Sequence, residues 1–244
     1  MPTDGIVLTD GQIEVLGRLP YSSNFSFLCR ISSKDISHSE DSYNSSVIAV
    51  YKPQDGERPL WDYPPGLYKR EVASYRLSDL LNWEIVPTTV VRSDGQFGVG
   101  SIQLFVEADF SLTYFDFVED IELHDQLVKI AVFDLLINNS DRKAGHILID
   151  KNRHLWAIDN GLTFHCEPKL RTVIWDFQEV EIPADLLKSI KALLDTPDRI
   201  VNTFSDLLSP QEIDCLFERA RRLVGNPYLP VLEESKRPFP WPLI

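Results

Sequence analysis

The first hundred residues carry short runs in which apolar and polar residues alternate, a pattern typical of β-strands. Residues 11–32 alternate on either side of a turn at residues 17–24 and predict a hairpin. A short apolar run, Val47–Tyr51, predicts a buried strand with Lys52 at its end. Two further strands are predicted on either side of a glycine-rich turn, around Val86–Val91 and Ser101–Val106. This part of the chain therefore predicts a sheet of five strands.

Apolar residues at helical spacing occur once in the first hundred residues and become the main pattern after Asp120. Residues 68–81 repeat apolar side chains every three or four positions and predict an amphipathic helix. Leu123–Ile137 predicts a largely apolar helix, and three more helices are predicted at Ala184–Leu194, Asp198–Leu207 and Ser209–Leu223. The order favours an α+β fold with a small β-rich N-lobe with one helix, residues 1–106, and a mainly helical C-lobe, residues 107–244. Two unlike lobes imply a cleft, where ligand sites are common.

Two proline-rich segments show neither strand-like alternation nor helical spacing, and their sequences predict irregular structure. Residues 54–66 carry five Pro or Gly residues, with Trp61 and Tyr63 as the expected anchors. Residues 237–242 alternate proline with large side chains, so we expect this tail to lie across the surface with Trp241 as its anchor.

A polar loop followed by two short apolar strands carries the most chemistry in the sequence. The loop runs from Asn138 to His146, and the strands pair across a polar turn at residues 150–153. In such a hairpin the residue entering the first strand lies beside the residue leaving the second. His146 and Asp159 should therefore meet at the open end, with Asp141 a few residues away. Two carboxylates and an imidazole make a divalent-metal and phosphoryl-transfer site plausible.

Composition excludes several classes of protein. The chain has 24 Lys and Arg against 37 Asp and Glu, a formal net charge of −13, which argues against nucleic-acid binding and against an anionic membrane. No apolar run is long enough for a membrane-spanning helix, and the N-terminus shows no signal-peptide pattern. Cys29, Cys166 and Cys215 are odd in number, widely spaced and fit no metal motif. We therefore expect no membrane insertion and a reduced, cytoplasmic setting.

Several stretches resemble the protein-kinase-like superfamily, and in particular its atypical branch of phosphatidylinositol 3- and 4-kinases and HipA-type kinases. The chain is most similar to a small bacterial family labelled phosphatidylinositol-kinase-like. The matching stretches are residues 51–53, 56–62, 70–73, 133–135, 139–146, 156–161 and 169–177. The resemblance implies a bilobal kinase-like fold that uses ATP with Mg²⁺ or Mn²⁺.

The resemblance also implies roles for individual residues. Lys52 would contact the α- and β-phosphates of ATP, and Glu71 would hold Lys52 through an ion pair. Asp141 would orient the acceptor hydroxyl and accept its proton. Arg142 and Lys143 would either neutralise the transferring phosphoryl group or be solvated.

The metal site departs from the superfamily at one position. Asp159 matches the metal-binding Asp that begins the activation segment. His146 stands where most of the superfamily has Asn. A neutral imidazole favours manganese or zinc relative to magnesium. His146 would thus be a metal ligand or phosphate contact, a structural histidine, or a sign of lost activity.

Two further groups of candidate nucleotide-binding residues are assigned only from their positions in the sequence. The turn at residues 19–25 stands where a loop covers the phosphates, but it lacks the glycine-rich pattern of protein kinases. Phosphate contacts are therefore predicted from Ser22, Ser23 and Asn24 and from backbone N–H groups. Leu104, Phe105 and Val106 fall at the lobe junction, where backbone groups would meet adenine.

The leading hypothesis from the sequence is an ATP- and divalent-metal-dependent phosphotransferase. Its acceptor would be a soluble small molecule or a protein hydroxyl, because the acidic chain offers no basic patch for a phosphoinositide headgroup. Two alternatives remain open: a nucleotide-binding pseudokinase acting as a scaffold or sensor, and a nucleotidyltransferase using the same cleft. A metallohydrolase is disfavoured because no HxH or HExxH spacing supplies enough ligands.

Overall fold

The computed structural model describes residues 7–20, 24–33, 46–233 and 237–244. The chain divides into two compact units. The first unit consists of Met1–Tyr75 and Pro87–Phe105, and the second of Arg76–Val86 and Val106–Ile244. Residues 76–86 thus group with the second unit. The roles expected of the two lobes stay predictions.

The first unit contains an antiparallel sheet, as the alternating pattern predicts. Its strands are β1 (Gln12–Arg18), β2 (Phe27–Ser32), β3 (Ser46–Pro53), β4 (Thr89–Gly95) and β5 (Gly98–Leu104). They lie in the order β1-β2-β3-β5-β4, and each neighbouring pair is antiparallel. The inward-facing side chains of the inner strands form the core of this sheet: Cys29, Ile31, Ala49, Tyr51 and Ile102.

The β3–β5 pairing places Lys52 opposite Ser101, one residue from a close approach of the two backbones. A Cβ atom built on Gly100 would lie 2.4 Å from the carbonyl oxygen of Lys52. Real Cβ atoms do not approach a backbone oxygen so closely, so a side chain at Gly100 would push β5 away from the end of β3. The absence of a side chain here lets β5 pair with β3 as far as Pro53, past Lys52.

The second unit is mainly helical. One helix, α1 (Leu67–Leu80), begins in the first unit and ends in the second. The helices that follow are α2 (Tyr114–Phe117), α3 (His124–Ile137), α4 (Ala184–Leu194), α5 (Pro197–Phe204) and α6 (Pro210–Gly225). Short 3-10 turns lie at Ile121–Leu123 and Ala144–His146, and another lies at Gln54–Gly56 in the first unit. The predicted hairpin is present as β6 (Ile147–Ile149) and β7 (Leu155–Ala157). The α+β fold class is confirmed.

Helix α3 positions the polar loop that follows it. Its side chains are apolar on nearly every face and most are buried, including Leu127, Ile130 and Phe133. The helix ends because Asn138 takes a left-handed conformation with φ 53°, which asparagine tolerates better than most residues. The loop therefore leaves α3 from a buried, fixed end.

Only one of the anchor residues predicted for the two proline-rich segments is buried. Tyr63 is buried, whereas Trp61 is 94% exposed, so Trp61 is not an anchor. Trp241 is also exposed, and the anchoring role predicted for it is wrong: the buried residues of the tail are Pro238 and Pro240. Within the described residues, no helix is long and apolar enough to cross a membrane.

Candidate active site

The open end of the β6–β7 hairpin brings the predicted metal residues together. Ile147 pairs with Ala157, and the N–H of Ile158 donates to the carbonyl of His146 at 2.9 Å. The side chains beyond the strands then meet, with His146 Nε2 3.3 Å from Asp159 Oδ2. Asp159 adopts a left-handed conformation, φ 56°, and its side chain is 47% exposed. The carboxylate is thus both held and open to a ligand.

The contacts of His146 decide which ring nitrogen can meet a cation. Nδ1 lies 3.0 Å from the carbonyl oxygen of Asp141, and 3.4 Å from the N–H of Lys143. Because a carbonyl oxygen only accepts, the shorter contact requires a hydrogen on Nδ1. In the neutral ring, Nε2 then carries the lone pair and faces Asp159. A cation or a proton between Nε2 and the carboxylate would satisfy both groups.

The donor set fits a divalent ion that is shared with a ligand. In the described parts of the chain, no group of three or more His, Cys, Asp and Glu side chains could hold a metal ion by itself. His146 and Asp159 would therefore supply two positions. Phosphate oxygens and water would have to supply the rest, which is how Mg²⁺ is commonly bound beside a nucleotide.

Asp141 lies beside this pair in a partly buried position. Its N–H donates to Asn139 Oδ1 at 2.9 Å, and its Oδ2 lies 3.6 Å from Lys143 Nζ. Burial raises the pKa of Asp141 to about 6, the Lys143 charge acts in the opposite direction, and the Asp159 charge raises it further. A carboxyl group with a pKa near neutrality suits proton transfer at physiological pH.

Arg142 has different surroundings from those that the sequence predicts. Its side chain is fully buried and pairs with Asp134, which is also fully buried, at 2.9 Å. The guanidinium also donates to the carbonyl of Ile158 at 2.7 Å and to Asn160 Oδ1 at 2.6 Å. The solvated alternative for Arg142 is therefore wrong. Its donors are directed into the protein, where they join α3 to the segment after β7.

Sequence reasoning assigned no role to Asp134, Asn139 or Asn160. Asn139 donates through Nδ2 to Asp134 Oδ1 and accepts the N–H of Asp141 through Oδ1, so it joins the buried ion pair to the candidate base. The signal that could have identified Asp134 is an acidic residue in an otherwise apolar helix. A buried carboxylate needs a cationic or hydrogen-bonding partner.

Asn138 fixes the segment that follows the metal residues. Its Nδ2 donates to the carbonyls of His165 and Glu167, both at 2.7 Å, and its Oδ1 accepts the N–H of Lys169 at 2.9 Å. The N–H of Ser140 donates to the carbonyl of Leu162. The polar loop and residues 162–169 are therefore one hydrogen-bonded assembly.

The first unit holds the predicted lysine and glutamate. Lys52 lies at the end of β3 and Glu71 in the second turn of α1, with 2.5 Å between Nζ and Oε1. The side chain of Glu71 is 4% exposed and that of Lys52 is 22% exposed. The carboxylate is therefore held inside the unit while the ammonium reaches its surface. The nucleotide-binding role of this pair stays a prediction.

The other predicted nucleotide contacts have mixed outcomes. Ser22 and Ser23 lie outside the described residues. Asn24 accepts the N–H of Arg58 through Oδ1 at 2.9 Å, so its side chain holds a loop of the first unit. At the predicted adenine-binding positions, the N–H groups of Leu104 and Phe105 donate to the carbonyls of Thr88 and Ile48. Their carbonyl groups and the backbone of Val106 remain as candidates for adenine.

Sequence comparison identifies a family and two relatives. Residues 67–210 match the family described as phosphatidylinositol 3- and 4-kinase. Protein Rv2133c of Mycobacterium tuberculosis is 35% identical across 97% of this chain and 94% of its own length. Phosphatidylinositol 4-kinase gamma 4 of rice, Oryza sativa subsp. japonica, is 31% identical across 53% of this chain and 28% of its own length.

Solved structures share the fold. The Helicobacter pylori proinflammatory kinase CtkA matches with a TM-score of 0.53 at 11% identity, covering 94% of this chain and 96% of that one. Hydra Fam20, solved with sugar, matches with a TM-score of 0.52 at 12% identity, covering 88% and 86%. The fold is therefore kinase-like, and the family match at residues 67–210 supports a phosphotransferase as the class of protein. The chain belongs to the phosphatidylinositol 3- and 4-kinase family, as its sequence motifs predict.

Proposed function

We propose that this protein is an ATP- and divalent-metal-dependent phosphotransferase that acts on the hydroxyl group of a soluble small molecule or a protein. One observation carries the proposal. The hairpin end places Asp159 and His146 side by side, next to a loop carboxylate, Asp141, whose pKa burial raises to about 6. A metal-binding carboxylate beside a candidate base is the arrangement that phosphoryl transfer requires.

Each residue has a distinct proposed task. Asp141 accepts a hydrogen bond from the acceptor hydroxyl and takes its proton on a carboxylate oxygen as the hydroxyl oxygen attacks the γ-phosphorus. The bond from the γ-phosphorus to the bridging oxygen breaks, and ADP leaves with that oxygen. Lys143, 3.6 Å from Asp141, offers a positive charge to the transferring group. Lys52, held by Glu71, contacts the phosphates. A bound divalent ion would neutralise phosphate charge, with Asp159 and His146 as its protein ligands.

We assign Arg142 to positioning rather than to phosphoryl contact. Its donors bond to Asp134, Asn160 and the carbonyl of Ile158, and its side chain has no exposed surface. Asn160 and Ile158 flank Asp159 in the sequence. Arg142 therefore fixes both neighbours of the metal-binding carboxylate.

The acceptor is proposed to be soluble because of charge. A formal net charge of −13 repels the anionic surface of a phosphoinositide membrane, where each nearby basic residue would contribute about 1 kcal/mol of attraction. The family name describes lipid kinases, so lipid acceptors belong in the test. Phosphatidylinositol vesicles, casein and a panel of small alcohols and sugars cover the three acceptor classes.

The test is transfer of label from ATP. The protein is incubated with γ-labelled or α-labelled ATP, Mg²⁺ or Mn²⁺ and each acceptor, and the products are separated. Transfer from the γ-label supports a kinase, and transfer from the α-label supports a nucleotidyltransferase. Asp141→Asn should lose at least 100-fold in turnover but keep nucleotide affinity, because removal of general-base catalysis costs about 10²–10⁴-fold.

Asp214→Asn, an exposed position on α6, is the matched control and should turn over like the wild type. Normal turnover by Asp141→Asn would remove Asp141 from its proposed role. Absence of transfer from either label, with every metal and acceptor, would contradict the phosphotransferase proposal.

A pseudokinase is the second candidate, and the His146–Asp159 contact favours it. Protonation of Nε2 would form an ion pair at 3.3 Å and occupy the carboxylate without a metal. If this pair blocks the site, His146→Asn should gain metal-dependent nucleotide binding. If His146 is a ligand instead, the same substitution should shift the metal preference from manganese toward magnesium, because the amide oxygen is the harder ligand.

A further inference from the structure

Two of the three cysteines meet in the second unit, 49 positions apart in the sequence. Cys166 Sγ donates to the carbonyl of Gln211 at 3.3 Å. In α6 the same carbonyl accepts the N–H of Cys215, one helical turn later. Helical side chains lean toward the N-terminus, so the Cys215 thiol lies over the turn that Cys166 touches. Cys166 and Cys215 therefore both lie at the first turns of α6, and Cys215 is among the groups that raise the pKa of the Cys166 thiol.

The pair differs from the third cysteine in its exposure. Cys166 and Cys215 are both partly exposed, whereas Cys29 is fully buried in the core of the sheet. Cys29 Sγ contacts the backbone carbonyl of Phe27, two residues away on the same strand. Small oxidants therefore have access to the pair but not to Cys29, which serves as an internal control.

We propose that Cys166 and Cys215 are a reversible redox pair, which peroxide converts into a disulfide that ties the segment after Asp159 to α6. The assignment goes beyond phosphoryl transfer and does not depend on it. The disulfide would affect the candidate active site because both neighbours of Cys166 are hydrogen-bonded to the polar loop. Asn138 Nδ2 of that loop donates to the carbonyls of His165 and Glu167. Arg219 of α6 also donates to the carbonyl of His165. A disulfide would make this attachment covalent.

The reaction balances with one hydrogen peroxide. The Cys215 sulfur attacks one peroxide oxygen, the O–O bond breaks, and the departing hydroxide takes the thiol proton, giving a sulfenic acid and water. The Cys166 sulfur then attacks the Cys215 sulfur, the S–O bond breaks, and the leaving hydroxide takes the second proton. Two thiols are oxidised by one electron each, peroxide is reduced to two waters, and a dithiol reverses the change.

The order of the two steps follows from the surroundings of Cys166. Burial raises the pKa of the Cys166 thiol well above its ordinary value, and the Cys215 thiol acts in the same direction. A thiol that keeps its proton is a poor attacking group, and the Cys166 S–H is already bonded to the Gln211 carbonyl. Cys215 is therefore assigned the first step and Cys166 the resolving step.

The test is peptide mapping of the full chain under non-reducing conditions, before and after hydrogen peroxide, with free thiols blocked by maleimide. We expect a cross-linked Cys166–Cys215 peptide that disappears after dithiothreitol, while Cys29 stays unlinked. Cys166→Ser should trap sulfenic acid at Cys215, and Cys215→Ser should slow oxidation of Cys166 at least 10-fold. Oxidation of either cysteine to sulfinic acid without the cross-link, or links only between molecules, would overturn the proposal.

Two measurements on the wild-type protein do not depend on whether the variants fold. Phenylarsine oxide, which bridges paired thiols without oxidising them, should add once and protect both cysteines from maleimide. Oxidation should also raise the unfolding midpoint by about 5–10 °C, because the bond closes a long loop in the unfolded chain. Separate maleimide labelling of both cysteines after the arsenical, or an unchanged midpoint in cross-linked protein, would contradict the proposed pairing.

Discussion

Replacement of Arg142 by methionine should lower the free energy of unfolding, although the substitution changes no exposed side chain. The guanidinium and the Asp134 carboxylate are both fully buried, 2.9 Å apart. Methionine fills a similar volume but leaves the carboxylate buried without its cation, which costs about 3–5 kcal/mol. Asn160 and the carbonyl of Ile158 also lose their donor, so we expect the upper part of this range. This loss is a large fraction of the roughly 5–15 kcal/mol that stabilises a typical domain.

Urea unfolding, followed by the fluorescence of the 5 tryptophans, measures this loss as a change in the free energy of unfolding. Arg221→Met is the matched control, because Arg221 pairs with Glu218 on the surface, with side chains 59% and 62% exposed. Such an exposed pair contributes about 0–1 kcal/mol. The control should therefore unfold close to the wild type.

A double variant separates the buried charge from lost packing. Arg142→Met combined with Asp134→Leu removes both charges and should regain about 2 kcal/mol or more relative to Arg142→Met alone. The recovery is partial because Asn139 Nδ2 then lacks its acceptor. A loss below about 1 kcal/mol for Arg142→Met, or no recovery in the double variant, would refute the buried-pair reasoning.

Two other features give independent predictions. Ser209→Ala removes the capping box of α6, in which Ser209 and Glu212 satisfy each other's backbone N–H groups, and should cost about 1 kcal/mol in urea unfolding. Equal stability would show that the cap is dispensable. Burial and the Asp176 carboxylate raise the pKa of Tyr114 above its ordinary value of 10.0. The stability that this shift contributes is present below pH 10 and is lost above it, so Tyr114→Phe should unfold less steeply with alkali than the wild type.

The sequence predicts the hairpin site well because local rules determine it. A two-stranded ladder with a short turn puts the flanking residues side by side, so His146 and Asp159 could be paired without tertiary information.

The start of β4 is harder to predict. Val86 looks like a strand residue, but its N–H and that of Ile85 donate to Ser78 Oγ, and the strand begins at Thr89, after Pro87. A side chain of the preceding helix, α1, outcompetes the sheet for these donors.

The buried network around Arg142 could not be predicted from the sequence, because the polar residues next to Arg142 suggest an exposed position. Arg142 stands in a polar loop next to Asp141, which suggests exposure, yet its partner lies inside the apolar helix α3. The contact between Cys166 and Gln211 of α6 likewise depends on how α6 packs, which no local pattern encodes. Tertiary packing therefore decides which polar residues support the site and which face solvent.

Metal-dependent nucleotide binding tests the proposed function most directly. Thermal unfolding is compared with ATP alone and with ATP plus Mg²⁺ or Mn²⁺, for the wild type, Asp159→Ala and the exposed control Asp214→Ala. At 100 times its dissociation constant a ligand stabilises by about 2.7 kcal/mol, a midpoint shift of roughly 5–10 °C for a chain of this size. We predict this shift for the wild type and the control with metal present, and its loss in Asp159→Ala. An equal shift in Asp159→Ala, or none in the wild type with either metal, would contradict a kinase-type site at Asp159.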